Sequence, residues 1–280
     1  MNRPVSVQLI GGLGNQLFQW AAAYALSRRL QTNLVLDFQA IKGKSLDPRK
    51  LELGYFSIPT SPSPIPPWIW FQTKLVSTRV RENSPAVFRE SGFEYDPRFE
   101  SIFFGQHLTG YFQSWKYFEA YSAHIRNLLQ TGAQPTKEYF DFFERVEGKK
   151  WAAIHVRRGD YANFPEIFVL LDRSYYKRAI ESLPDRNFDE VVVFSEDPKA
   201  ARMLVPEATI IADSFKVSAA GDVVSLLSKA QAVVGANSSL SWWGAFLNEG
   251  PGENKIFPID WFGPMGWSTK DLIPSEWTLL

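Results

Sequence analysis

The chain has 280 residues, 30 basic and 30 acidic side chains and a formal net charge of zero. That balance excludes a general electrostatic hold on nucleic acid or an anionic membrane, so any anion site must be made by a few placed groups. There is no cysteine and there are three scattered histidines, His107, His124 and His155; disulfides, thiolate catalysis and Cys-ligated zinc are excluded, and no HExxH motif or Asp-x-Asp pair offers a metal centre.

Residues 5–10 read as a buried strand, Gly11, Gly12 and Gly14 as a tight turn, and residues 15–30 as a helix. That helix has apolar residues along one side and Arg28-Arg29 at its negative end. Residues 33–37 form a second strand, which gives the β–turn–α–β opening of a doubly wound sheet. The proline-rich stretch 59–67 can be neither regular helix nor central strand and reads as a surface excursion. A strand over 107–113 and an amphipathic helix over 115–129 follow, and 131–150 connects two halves. The second half reads as strand 151–157, helix 175–183, strand 190–195, strand 208–211, helix 222–230, strand 231–235, helix 239–248 and a last strand, 255–258. Strands separated by helices imply parallel sheets, with ligands beyond the carboxyl ends of the strands. The predicted domains are 1–140 and 150–280.

Four features fall at such strand ends. Gly11-Gly12-Leu13-Gly14-Asn15-Gln16 follows a strand and opens a helix. It is neither a Walker loop nor a G-x-G-x-x-G fingerprint, but two amides at a helix start suit sugar hydroxyls, the plain alternative being a tight turn. His155-Val156-Arg157-Arg158-Gly159-Asp160 ends the first strand of the second half. Alternation places His155 and Arg157 on one face, and two adjacent guanidiniums fit a diphosphate. Ser195-Glu196-Asp197-Pro198 offers a carboxylate able to accept both N–H groups of a guanine edge; helix capping explains it equally well. Asn237-Ser238-Ser239-Leu240-Ser241 brings hydroxyls and backbone N–H groups to a helix N-terminus, where anions bind.

GGLGNQLFQ at 11–19, GYFQSWKYF at 110–118, HVRRGDY, FSEDP and ANSSLSWWGAFLN together resemble the bacterial-type α-1,2-fucosyltransferases, glycosyltransferase family 11. The matches run from Gly11 to Asn248 in the family's order, while residues 42–89 cannot be placed against it. The resemblance implies an α/β, GT-B-like fold of two Rossmann-like domains with a cleft between them. It also implies GDP-fucose as co-substrate with no cofactor and no metal, and transfer of fucose, with inversion, to the 2-hydroxyl of a terminal β-galactoside. By similarity Arg157 holds the β-phosphate, His155 and Asp197 hold guanine, Ser238 and Ser239 add phosphate contacts, and Asn15 faces the acceptor. Arg158 and Asn237 complete the expected donor set; Gly12, Gln16, Gln113 and Trp115 complete the acceptor set. The candidates for a base on the acceptor hydroxyl are Asp160, Glu166 and Asp37, and an oxocarbenium-like path could do without one, with Asn15 positioning. Transfer of another nucleotide sugar, or galactoside binding without catalysis, remain as alternatives. The N-terminus lacks a basic segment followed by a long apolar run, and no stretch approaches the ~18 apolar residues of a membrane span. The expectation is a cytoplasmic protein for which peripheral contact with the inner membrane stays open. Its partners would be GDP-fucose and a galactose-terminated oligosaccharide, and not nucleic acid.

Overall fold

The computed structural model describes residues 3–38, 41, 51–58, 86–212, 220–264 and 267–280, apart from the side chain of Asp160. The proline-rich stretch 59–67 lies outside the described residues. The chain divides into two compact units, Met1–Leu128 with Lys270–Leu272, and Leu129–Thr269 with Ile273–Leu280. The division falls within a helix, Ser122–Gly132, and not in the connector that the sequence points to.

Unit one holds a four-stranded parallel sheet of β1 (Val5–Gln8), β2 (Leu34–Asp37), β3 (Val87–Arg89) and β4 (His107–Thr109), in the order β2-β1-β4-β3. Ser6 pairs in register with His107 across β1 and β4, and their side chains share a buried hydrogen bond of 3.0 Å, so His107 fastens the sheet. Helix α1 (Leu13–Arg29) packs against it and is buried almost all round, Gln16 and Gln19 included. It begins two residues before the expected start. No side chain of its own caps it; instead Glu52 Oε2 accepts from the Leu13 N–H at 2.7 Å, and the Glu52 N–H donates to Gln16 Oε1 at 2.9 Å. This is a capping box closed by a distant segment.

The expected strand over 107–113 stops at Thr109, because Gly110 (φ 156°) and Phe112 (φ 53°) leave the extended region. The single helix expected over 115–129 is two elements. A 3₁₀ segment, Trp115–Tyr121, starts at Ser114 and breaks at Phe118 (φ −133°), and α2 (Ser122–Gly132) follows.

Unit two holds a six-stranded parallel sheet of β5 (Trp151–Val156), β6 (Glu190–Ser195), β7 (Ile210–Ala212), β8 (Ala232–Val234), β9 (Lys255–Phe257) and β10 (Thr278–Leu279). Their order is β10-β9-β8-β5-β6-β7. Counted from β5, this is the 3-2-1-4-5-6 order of doubly wound nucleotide-binding sheets, in which the chain turns from one side to the other between the first and fourth strands. Here that point lies between β5 and β8. The helices are α3 (Lys137–Phe143), α4 (Arg173–Ser182), α5 (Pro198–Leu204), α6 (Ala220–Leu227) and α7 (Ser239–Leu247). The supposed connector 131–150 therefore contains α3, whose capping Thr136 donates its backbone N–H to the fully buried Asp222 at 3.1 Å. On one face of the sheet Ile154, Val156, Val193 and Val234 pack with Tyr175, Tyr176 and Ala179 of α4. Trp242 and Trp243 of α7 have no exposed surface.

Candidate active site

In unit two the residues singled out from the sequence gather at the carboxyl ends of β5, β6 and β8, around the turning point of the sheet. His155 is the last but one residue of β5 and is 5% exposed. Its Nδ1 has no hydrogen-bond partner. Burial, and then the charge of Arg157, push its pKa down to about 3. The ring is neutral at physiological pH and keeps a buried polar atom in want of a partner.

Just beyond the strand, the Arg157 guanidinium stands 3.3 Å from Glu196 and 5.1 Å above the Tyr161 ring. Tyr161 stacks in turn on Phe168 at 3.8 Å and donates its hydroxyl to the Asn237 carbonyl at 2.9 Å. Arg157 is thus oriented from two sides. Arg158 is used differently: its backbone N–H donates to Glu196 at 3.0 Å, and its Nη2 donates to the Leu171 carbonyl at 2.9 Å. Arg158 thus uses one arm of its fork to hold the loop. Gly159 (φ 34°) permits the close turn; a Cβ there would lie 2.8 Å from Glu196 Oε1.

Glu196 is the residue that sequence reasoning missed. It lies inside the FSEDP motif, but the reading settled on its neighbour. Asp197 accepts from the Ala200 N–H at 2.9 Å and caps α5. That satisfies the capping explanation and leaves a guanine role to experiment.

Across the turning point, the loop after β8 enters α7. Ser238 is the N-cap of that helix, 6% exposed, with its hydroxyl 3.4 Å from the Leu240 N–H. Ser239 begins the helix and is partly exposed. Asn237 departs from expectation. It is 1% exposed, and its amide donates to the carbonyls of Val169 and Trp261 at 2.9 and 2.8 Å. Both amide hydrogens are used, and this side chain ties two loops together. Ser241 is likewise buried on the carbonyls of Ala236 and Ser238.

Asp160 lies in the 3₁₀ turn Gly159–Asn163, with its side chain outside the described residues. Glu166 is exposed in the loop before Phe168. That loop is fastened by the Gly263 N–H donating to Ile167 at 2.7 Å and by the Phe168–Phe262 bridge.

In unit one the corresponding turning point lies between β1 and β4. Gln19 spans it, accepting from the Ile10 N–H at 3.0 Å and donating to the Gly110 carbonyl at 3.2 Å. Asn15 is partly exposed and accepts from Gln113 Nε2 at 2.7 Å. Gln113 is 7% exposed, and its Oε1 has no partner. Trp115 is partly exposed at the head of the 3₁₀ segment, and Gly12 is the N-cap of α1. Gln16 does not join them. It has no exposed surface, and its amide donates to the Gly11 carbonyl at 2.8 Å and accepts from Glu52. Asp37 is 6% exposed at the end of β2. Glu52 also puts a carboxylate on the first N–H of α1, the place a phosphate would take at a helix start. Among the described residues no group of three or more His, Asp or Glu is gathered as a metal site needs, and no helix is long and apolar enough to cross a membrane.

The sequence model of glycosyl transferase family 11 matches residues 90–278. The chain is 30% identical to an O-antigen biosynthesis glycosyltransferase, WbnK, of Escherichia coli, over 96% of this chain and 98% of that protein. It is 26% identical to an alpha-1,2-colitosyltransferase of Escherichia coli, over 98% and 97%. Among solved structures it resembles the fucosyltransferase NodZ from Bradyrhizobium, with a TM-score of 0.51 at 12% identity, covering 87% of this chain and 93% of that one. That likeness concerns the fold, which is GT-B-like.

Proposed function

Since the chain belongs to glycosyl transferase family 11 and is thereby a glycosyltransferase using a nucleotide sugar, we propose that it transfers L-fucose from GDP-β-L-fucose to the 2-hydroxyl of a terminal β-galactoside, with inversion. The observation that carries this reading is the gathering of Arg157, His155 and the Ser238–Ser239 helix start on both sides of the β5–β8 turning point. Nucleotides bind at such points in doubly wound sheets.

Departure of GDP places negative charge on the β-phosphate. Arg157, oriented by Glu196 and Tyr161, and the N–H groups at the start of α7 are the donors available to that charge. Being fixed beforehand, they need no reorganisation as it develops. Neutral His155 and the carboxylate of Asp197 suit the guanine edge. In unit one, Asn15, Gln113, Trp115 and the backbone at Gly12 suit a neutral sugar hydroxyl, which is held by amides and not by charge. GDP-fucose acts as co-substrate, no cofactor or metal takes part, and the protein works in the cytoplasm. Asp160 and Glu166 remain the candidates in unit two for receiving the acceptor proton.

The test is incubation with GDP-fucose and a panel of β-galactosides, followed by linkage analysis of the product; absence of a 2-linked fucosyl product from every galactoside sinks the proposal. The relative named as a colitosyltransferase favours a second reading, in which the donor carries a different deoxysugar. Parallel incubation with GDP-colitose separates the two.

A further inference from the structure

Glu90 follows β3 directly and reaches over the end of β4. Its Oε2 accepts from two successive backbone N–H groups, Tyr111 at 2.9 Å and Phe112 at 2.8 Å. These belong to the turn in which Gly110 has φ 156° and Phe112 has φ 53°. A bulky residue at positive φ is strained and persists only where its surroundings impose it. At Gly110 the glycine is required, since a Cβ would lie 2.6 Å from both Cβ and Oε2 of Glu90. The turn is thus folded around the carboxylate. Its last residue, Gln113, is the one whose amide donates to Asn15 at 2.7 Å, and its first, Gly110, accepts from Gln19.

The other oxygen, Oε1, is buried. Having no solvent access, it cannot meet a substrate, and the role left to this carboxyl is to position the turn. The charged and titratable groups facing it are Tyr117 and Asp96: Tyr117 lies close to the carboxyl, and the Asp96 charge opposes its ionisation. Burial is the main cause that raises its pKa, to about 7.

We propose that Glu90 is a positioning residue for the acceptor side of the reaction, its carboxyl group holding the Gly110–Gln113 turn in the form that sets Gln113 against Asn15. Two N–H···O⁻ bonds become ordinary N–H···O bonds when the carboxyl is protonated, and charge-assisted bonds are roughly twice as strong. Burial opposes the charge more strongly than these two bonds support it, so the closed turn holds best with the carboxyl protonated and loosens as pH rises through the neutral range. This rests on the reading that Asn15 and Gln113 meet the acceptor.

The experiment has two arms, each on wild type and on Glu90→Gln, which keeps the shape and removes the titration. In the first, amide resonances of Tyr111 and Phe112 are followed from about pH 5.5 to about pH 9. They are expected to titrate together in wild type, with a midpoint near 7, and to stay flat in the variant. This arm needs no substrate, so it stands or falls apart from the assignment of fucose or galactose. In the second, acceptor KM and GDP affinity are measured over the same range. Acceptor KM should rise about tenfold at the alkaline end in wild type and be low and flat in Glu90→Gln, with GDP affinity the same in both. Flat amide shifts in wild type, an unchanged KM profile in a folded Glu90→Gln, or an equal loss of GDP affinity would each overturn the proposal.

Discussion

The sharpest prediction concerns Arg157. Replacement by alanine removes a guanidinium that the structure orients between a carboxylate and an aromatic ring at the β5–β8 turning point. In the folded protein the loss is small. The pair with Glu196 has side chains 24% and 23% exposed at 3.3 Å, and partly exposed pairs contribute on the order of 1 kcal/mol or less. Glu196 also keeps the Arg158 N–H as a partner. In the transition state the loss is large, because removing one preorganised donor to a developing charge costs about 2.7–4 kcal/mol, or about 10²–10³ in kcat. The predicted signature is a wide gap between a near-normal melting temperature and a nearly abolished kcat. Arg157→Lys should recover little, since an ammonium can neither fork onto two phosphate oxygens nor lie flat over Tyr161. The assay is kcat at saturating acceptor, with GDP affinity by calorimetry and melting followed in parallel. A folded Arg157→Ala that retains most of its kcat would refute the assignment.

Four further outcomes follow from the same geometry. Asp197→Ala should lose GDP but not UDP affinity, and should cost about 1 kcal/mol of stability through loss of the α5 cap; an equal loss for both nucleotides would leave capping as its only role. Asn15→Ala should leave calorimetric GDP affinity unchanged while lowering turnover on a galactoside, because its partner is the amide of Gln113 and an amide carries no charge for a diphosphate; a fall in GDP affinity as large as in Arg157→Ala would contradict it. The melting shift induced by GDP should be the same with and without EDTA; its disappearance on chelation would point to a metal. Glu90, raised from 4.5 to about 7, binds its proton more tightly folded than unfolded, so its ionisation removes ~3 kcal/mol of stability as pH climbs through that window. His155, lowered to about 3, works in the opposite sense, so the measurement is the difference between wild type and Glu90→Gln in urea midpoints at acid and alkaline pH, and equal midpoints throughout would contradict the buried carboxyl.

The parallel α/β class and the succession of strand ends were legible because they rest on local patterns: buried runs such as 190–195, glycine turns and Ser or Asp before a helix. What was not legible depended on contacts between distant segments. Helix α1 starts at Leu13 because Glu52 supplies a cap, and nothing in residues 11–16 announces that. The strand over 107–113 ends early because Glu90 folds the turn after Thr109. The break at Phe118 divides a run that periodicity reads as one helix. A two-residue strand such as β10 has no period to detect.

The same division bears on the polar residues at the strand ends. At the carboxyl ends of a sheet, side chains either face a ligand or supply hydrogen bonds that the irregular backbone lacks, and residue type does not tell these apart. Gln16 and Asn237 look like ligand amides, yet both are buried and donate their amide N–H groups to backbone carbonyls. Glu196 looks like a surface acid beside a cap, yet it fixes Arg157 and the Arg158 backbone. Buried amides that satisfy carbonyls are costly to remove, because each orphaned group loses ~1–3 kcal/mol. Asn237 is accordingly as unlikely to tolerate change as a ligand-binding residue. A mutational scan read by activity alone would place Asn237 beside Arg157. Only the melting temperature separates them, lowered for the residue that ties the Val169 and Trp261 loops and nearly unchanged for the one proposed to meet the phosphate.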